Sequence, residues 1–111
     1  MSLSTHVLDT SLGKPVAGVS VTLSVRNDDG LHELARAVTD ADGRVRGFLP
    51  EPSLVVGVYQ LTFETAAYFR AAARQAFFER VTLEFYVTEP SEHYHVPLLL
   101  TPYGYSTYRG S

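Results

Sequence analysis

Along most of this chain, hydrophobic and polar residues alternate with a period of two. In VSVTLSV, Val19, Val21, Leu23 and Val25 alternate with Ser20, Thr22 and Ser24, the signature of a strand buried on one face. RVTLEFYV sets Val81, Leu83, Phe85 and Val87 against Thr82, Glu84 and Tyr86, and VYQLTFE aligns Tyr59, Leu61 and Phe63. The turn-forming stretches GKPVAG, NDDG, DADG and LPEP separate these runs. The pattern predicts about eight short strands, near residues 3–9, 18–26, 31–38, 44–48, 57–64, 80–88, 93–101 and 104–109.

One segment breaks the period. AAYFRAAARQAFF is rich in alanine, contains no β-branched residue and follows Thr65, an expected N-cap. It predicts one short helix over about 66–76. Many short strands, frequent turns and a single small helix make the expected fold class all-β, an eight-stranded β-sandwich with one short α-helix. With no linker, repeat or low-complexity tract, residues 1–111 are expected to form a single domain.

Composition narrows the function classes. A chain of 111 residues can bury roughly 65% of its unfolded surface, so it needs no covalent staples. It has no cysteine, hence no disulfide framework and no thiolate chemistry. A net charge of −3, with Lys14 as the only lysine, argues against nucleic acid or an anionic membrane as the partner. No apolar run approaches the ~20 residues of a membrane span. MSLSTHVLDT lacks the basic start and apolar stretch of a signal peptide. A soluble cytoplasmic protein is the default expectation.

The candidate chemistry centres on HYHVPLLL. If Tyr94, Val96, Leu98 and Leu100 face the core, His93 and His95 project from the opposite face, and His6 lies in another strand. Three imidazoles can hold zinc with an open position, or move protons near neutral pH; spacing alone does not choose. DADG resembles half a calcium loop, but Val38 and Leu49 stand where the end ligands belong. GYSTY starts like a nucleophile elbow, but Tyr108 replaces its second glycine. Arg70 and Arg74, i and i+4 on the helix, read as a solvated face. The ending PYGYSTYRGS carries three of the seven tyrosines. Tyr103, Tyr105, Thr107 and Arg109 share one face there, with Ser106 and Tyr108 on the other.

LSTHVLDTSLGKPVAG, TDADGR and HYHVPLLLTPYGYSTYRGS together resemble the transthyretin-related 5-hydroxyisourate hydrolases, over residues 3–111. The terminal Tyr-Arg-Gly-Ser is the most specific mark, because hormone-carrying transthyretins share the fold but lack that ending. The resemblance implies a transthyretin-like sandwich assembled as a homotetramer, with active sites in a channel where two dimers meet. It implies hydrolysis of 5-hydroxyisourate to 2-oxo-4-hydroxy-4-carboxy-5-ureidoimidazoline in urate degradation, with no metal or organic cofactor. Carried over by motif, His6, Arg44, His95 and Ser111 are the implied catalytic residues, and His6, Arg44, Tyr108 and Arg109 the implied substrate contacts. Thr101 departs from the pattern, since many members have serine there.

These residue types suit the reaction. A neutral imidazole can deprotonate water near pH 7, and a guanidinium matches the edge of an oxidised purine and stabilises an oxyanion. Tyr108 is expected to touch substrate, with Arg109 and Ser111 close to the histidines. Pro97 and Leu99 extend the histidine face with an apolar stretch that a monomer would leave wet, which favours assembly. Two other readings remain: a non-enzymatic small-ligand carrier in the manner of transthyretin, and a zinc hydrolase on His6, His93 and His95.

Overall fold

The computed structural model describes residues 3–48 and 54–111. Its strands are β1 (Leu3–Asp9), β2 (Lys14–Pro15), β3 (Ser20–Asn27), β4 (Gly30–Val38), β5 (Arg44–Val45), β6 (Gly57–Phe63), β7 (Val81–Val87), β8 (Tyr94–Thr101) and β9 (Gly104–Thr107), with one helix, α1 (Thr65–Ala71). One sheet has the order β2-β1-β8-β9, with β5 also paired to β1; the other has the order β4-β3-β6-β7. The all-β sandwich with a single short helix is thus observed, with nine strand segments among the described residues instead of eight. The additional one is the short pairing of Lys14 and Pro15 with Asp9 and Leu8. The expected strand at 44–48 shrinks to Arg44–Val45, and the turn LPEP lies outside the described residues.

The core follows the alternation. Val19, Val21 and Leu23 meet Tyr59, Leu61, Phe63, Val81, Leu83 and Val87 from one sheet, and Leu3, Val7, Tyr94, Val96, Leu98 and Leu100 from the other. Along β1, Leu3, Thr5, Val7 and Asp9 are buried while Ser4, His6 and Leu8 are half-buried on the outer face. One-face burial in both sheets is what fixes each register, because a slip of one residue exchanges the faces. Among the described residues no helix is long and apolar enough to cross a membrane.

The helix departs from expectation at both ends. Glu64, not Thr65, is the N-cap, and it makes no side-chain capping bond; Thr65 is buried as the first helical residue. The C-terminus comes at Ala71 instead of 76. Ala73 takes a left-handed φ of 55°, and the Ala73 and Arg74 N–H groups turn back to the carbonyls of Arg70 and Phe69 at 3.0 and 2.8 Å. This is the helix-ending arrangement usually built on glycine, and an alanine in it is strained.

The same turn carries Arg74 to Asp9. That carboxylate is 0% exposed, at the inward end of β1. It accepts hydrogen bonds from Arg74 Nη1 (2.8 Å), the Tyr68 hydroxyl (2.7 Å), the Ser11 hydroxyl (2.5 Å) and the N–H groups of Ser11 and Leu12. Arg74 also donates to the Ser11 hydroxyl at 2.7 Å. Arg74 is therefore the partner of a buried anion, which corrects its reading as a solvated residue; Arg70 alone keeps that role, with its side chain 72% exposed.

Burial pushes the Asp9 carboxyl up, but the bonds from Ser11, Arg74 and Tyr68 and the Arg74 charge outweigh it and hold it at about 2. Because folding lowers this pKa, the associated stability is complete above ~4 and is lost as pH falls through about 2. Its size is roughly 2 kcal/mol. In urea titrations, Asp9→Asn should cost about that much at pH 7, and its stability should fall less steeply than the parent's between pH 4 and 2. Equal acid slopes in the two proteins would mean that Asp9 is not the group responsible.

Candidate functional site

Three elements bring the candidate residues together. Strand β1 pairs in parallel with β8, ninety-odd positions later, in the register Ser4↔His95 and His6↔Pro97. It also pairs antiparallel with β5, in the register His6↔Arg44. Residues opposite one another share a face, so Ser4, His6, Arg44 and His95 all stand on the outer face of this sheet. Tyr94, Val96, Leu98 and Leu100 are buried as expected. The strand itself begins at Tyr94, leaving His93 just before it.

Arg44 reaches this face because of the turn before it. The Asp40 carboxylate accepts from the N–H groups of Asp42 and Arg44 at 2.9 and 3.0 Å. Those bonds, with the Arg46 charge, hold it below the usual carboxylate range despite desolvation. Gly43 then passes directly against β1, with a φ of +76° and its carbonyl accepting from the Val7 N–H at 2.7 Å. A Cβ on it would lie 2.5 Å from the Val7 carbonyl oxygen. Only glycine permits both the left-handed conformation and that approach.

The imidazoles are oriented individually. His6 Nε2 lies 2.9 Å from the Asp42 carbonyl oxygen; a carbonyl only accepts, so Nε2 carries the proton and Nδ1 is the basic nitrogen of the neutral ring. His95 Nδ1 lies 2.8 Å from the Ser4 hydroxyl, and His93 Nε2 lies 3.0 Å from the same oxygen. Burial, followed by the charges of Arg44, His6 and His93, pushes the His95 imidazole below its usual value. It therefore stays neutral, and available as a base, further into the acid range than a free histidine. Among the described residues no three His, Asp or Glu side chains converge as metal ligands.

The tail runs past this face as an ordered extension. Beyond β9, Gly110 bridges to His95, its N–H donating to the His95 carbonyl at 2.7 Å. The His95 ring lies directly over Gly110, where any Cβ would collide with its Cδ2. Ser111 follows and is exposed, and Tyr108 is 58% exposed. Arg109 does not join the histidines. Its guanidinium lies 4.4 Å from the centre of the Tyr94 ring and donates to Glu92 at 3.0 Å. The strand alternation that turns Gly110 toward His95 turns Arg109 to the other face, so the expectation of its charge beside the histidines is not met within one chain.

Two open spaces adjoin the site. A recess of about 410 Å³ is lined by His6, Leu8, Pro15, Asp42 and Arg44. A hollow of about 120 Å³ is bordered by Ser4, Thr5, Arg44, Val45, Arg46 and His93. A cleft of about 380 Å³ between β7 and the tail, with Tyr94, Tyr108 and Arg109 on its wall, contains no histidine, and its one carboxylate, Glu84, accepts hydrogen bonds from Arg26 and Gln60. Of the outer-face apolar residues, Leu99 is half-buried, but Pro97 is already buried by the chain itself, so the wet apolar stretch is smaller than expected. Ser4 and the Asp42 carbonyl escaped sequence reasoning. Ser4 sits two residues before His6 on the same strand face, but only the β1–β8 pairing makes it a partner of His95.

Comparison with known proteins adds to this geometry. The model of the HIUase/Transthyretin family matches residues 3–110. The chain is 52% identical over 113 residues to the 5-hydroxyisourate hydrolase of Deinococcus radiodurans, covering 98% of this chain and 95% of that protein. It is 46% identical over 109 residues to the 5-hydroxyisourate hydrolase of Salmonella typhimurium, covering 98% and 80%. Among solved structures, Klebsiella pneumoniae 5-hydroxyisourate hydrolase superposes with a TM-score of 0.87 at 44% identity, each chain covered completely. Sea bream transthyretin in complex with thyroxine superposes with a TM-score of 0.91 at 31% identity, covering 99% of this chain and 95% of that one.

The electrostatic account is open to measurement. In an NMR titration, His95 should titrate below the ordinary histidine range, and Arg44→Ala should raise its midpoint only part of the way, because burial is the larger cause. A His95 midpoint unmoved by the loss of Arg44 would mean that the two side chains are not near neighbours.

Proposed function

The chain belongs to the HIUase/Transthyretin family, and from that premise we propose that it hydrolyses 5-hydroxyisourate to 2-oxo-4-hydroxy-4-carboxy-5-ureidoimidazoline, a cyclic amide hydrolysis needing no cofactor. The observation carrying this reading is the convergence of His6, Arg44 and His95 on one half-buried face beside an open recess. The chemistry is opening of a lactam by water. His95 Nε2 takes a proton from water as the oxygen adds to the carbonyl carbon. Arg44 donates to the developing oxyanion and anchors the ring edge. The C–N bond then breaks, and the proton on His95 passes to the leaving nitrogen. His6, its Nε2–H tied to Asp42, orients water or an N–H of the substrate through Nδ1. Tyr108 and Ser111 contact the substrate from the tail, while Arg109 secures the tail through Glu92 and Tyr94.

The active protein in this reading is a single-domain chain assembled as a cytoplasmic homotetramer, with recesses from two dimers facing each other across a channel. Its support is the outer face itself, which leaves Ser4, His6, Leu8, His95 and Leu99 only half-covered in one chain. The likeness to sea bream transthyretin keeps a ligand carrier as the second reading. Backbone similarity does not separate the two; turnover does. Urate oxidase generates 5-hydroxyisourate in situ, and a carrier would leave its spontaneous decay unaccelerated.

His6→Ala, His95→Ala and Arg44→Ala should each lower turnover by at least ~100-fold, the scale of a lost acid–base or oxyanion group. His93→Ala should cost less, because His93 precedes the strand and is linked to His95 through the shared Ser4 hydroxyl. Equal losses at His93 and His95 would show that the wrong histidine has been chosen.

Deleting residues 108–111 removes the bridge under His95 and little core. Light scattering should report a tetramer for the truncated chain as for the parent, whose four chains of 12.3 kDa make about 49 kDa, while turnover collapses. A truncated tetramer working at the parent rate would exclude the tail from the site.

A further inference from the structure

The mechanism above requires His95 to be not only neutral but in one tautomer, with Nδ1 protonated and Nε2 bare. The group placed to decide this is the Ser4 hydroxyl, 2.8 Å from His95 Nδ1 and 3.0 Å from His93 Nε2. A hydroxyl has a single proton to donate, and lone pairs with which to accept. It can accept from one ring while donating to the other, but it cannot donate to both.

We infer that Ser4 is a positioning residue that couples the tautomer of His95 to the protonation of His93. With neutral His93, whose Nε2 can accept, the hydroxyl points to His93 and receives the His95 Nδ1–H, leaving Nε2 as the base. A protonated His93 can only donate, so its Nε2–H occupies one of the serine's two lone pairs and releases the hydroxyl proton. That proton is then free to turn to His95 Nδ1, which shifts the His95 tautomer toward Nε2–H and depletes the base. The inference rests on the hydrolase reading for its consequence, though not for its geometry.

The surroundings suit such a coupling. His93 is exposed beside the small hollow shared with Ser4, Arg44 and Arg46. The charged groups facing His95 are Arg44 on β5, His6 on β1 and His93 itself. Arg44 and His6 act on the ring through charge, whereas the Ser4 hydroxyl is bonded to one of its nitrogens. The direction of that hydrogen bond distinguishes the ring's two neutral forms. The ring is also held in place independently of Ser4, because it lies over Gly110 and its backbone carbonyl is bound there. Removing the hydroxyl therefore frees the tautomer without freeing the ring.

The test is 15N NMR of both imidazoles as pH is lowered, with His93 protonation read directly and the His95 tautomer read while that ring is still neutral. In the parent, the Nε2–H form of His95 should grow as His93 gains its proton. In Ser4→Ala, and equally in His93→Ala, the His95 tautomer ratio should stay flat as pH is lowered. Turnover supplies the second readout. Each variant should lose about tenfold in kcat, the scale of one neutral hydrogen bond, with KM little changed, and the double variant should lose no more than either single one. A parent-like tautomer response without Ser4, or losses that multiply in the double variant, would overturn the coupling. A parent inert toward 5-hydroxyisourate would defeat the hydrolase reading and leave the NMR result standing.

Discussion

The structure depends above all on the parallel pairing of β1 with β8, from Leu3↔Tyr94 to Asp9↔Leu100. Side chains alternate between faces along both strands, so the register is decided by what must be buried: Leu3, Thr5, Val7 and Asp9 from one, Tyr94, Val96, Leu98 and Leu100 from the other. A slip of one residue would put His95 into the core and expose Tyr94. The pairing is secured within its length and at its far end. The Thr5 hydroxyl donates to the Val96 carbonyl at 2.6 Å, and Asp9 is gripped by Tyr68 and Arg74 from the helical segment. The strained left-handed Ala73 is explained by the same demand, because it lets Arg74 reach a carboxylate that would otherwise be a buried, unpaired charge.

With that register in place, the site is assembled by two glycines working for different reasons. Gly43 lets the turn that carries Arg44 press against β1, where both its backbone angle and its missing Cβ matter. Gly110 has no unusual backbone angle; it is needed only for the space that the His95 ring occupies. The tail is thus a fourth strand's continuation that clamps a histidine. Arg109, on the alternate face, contributes by holding that clamp through Glu92 and Tyr94.

Fold and function come apart in this family. The backbone superposes as well on a thyroxine-bound transthyretin as on a bacterial hydrolase, so the sandwich itself is indifferent to the chemistry. In the proposed reading the chemistry lies in a handful of side chains on one half-buried face, and in how their protons are arranged. Arg44 holds positive charge beside His95, and burial together with that charge keeps the imidazole neutral. In the proposed reaction, the charge that polarises the carbonyl also helps to prepare the base.

Periodicity alone determined the sandwich, because one-sided burial writes a period of two into VSVTLSV, VYQLTFE and RVTLEFYV whatever the strands pair with. The opposite facing of His95 and Tyr94 was legible for the same reason, and the terminal Tyr-Arg-Gly-Ser pointed to the family. The helix ending at Ala71, Arg74's partner and the turning away of Arg109 were not legible. Alanine-rich local propensity favours a longer helix, whereas the chain turns after Ala71 and Arg74 bonds the distant Asp9. Nor does any local pattern disclose that Ser4 meets His95 and His93, or that Gly110 lies beneath His95. Those contacts join residues far apart in the chain, and strand alternation specifies which face a side chain takes but never which strand lies next to it.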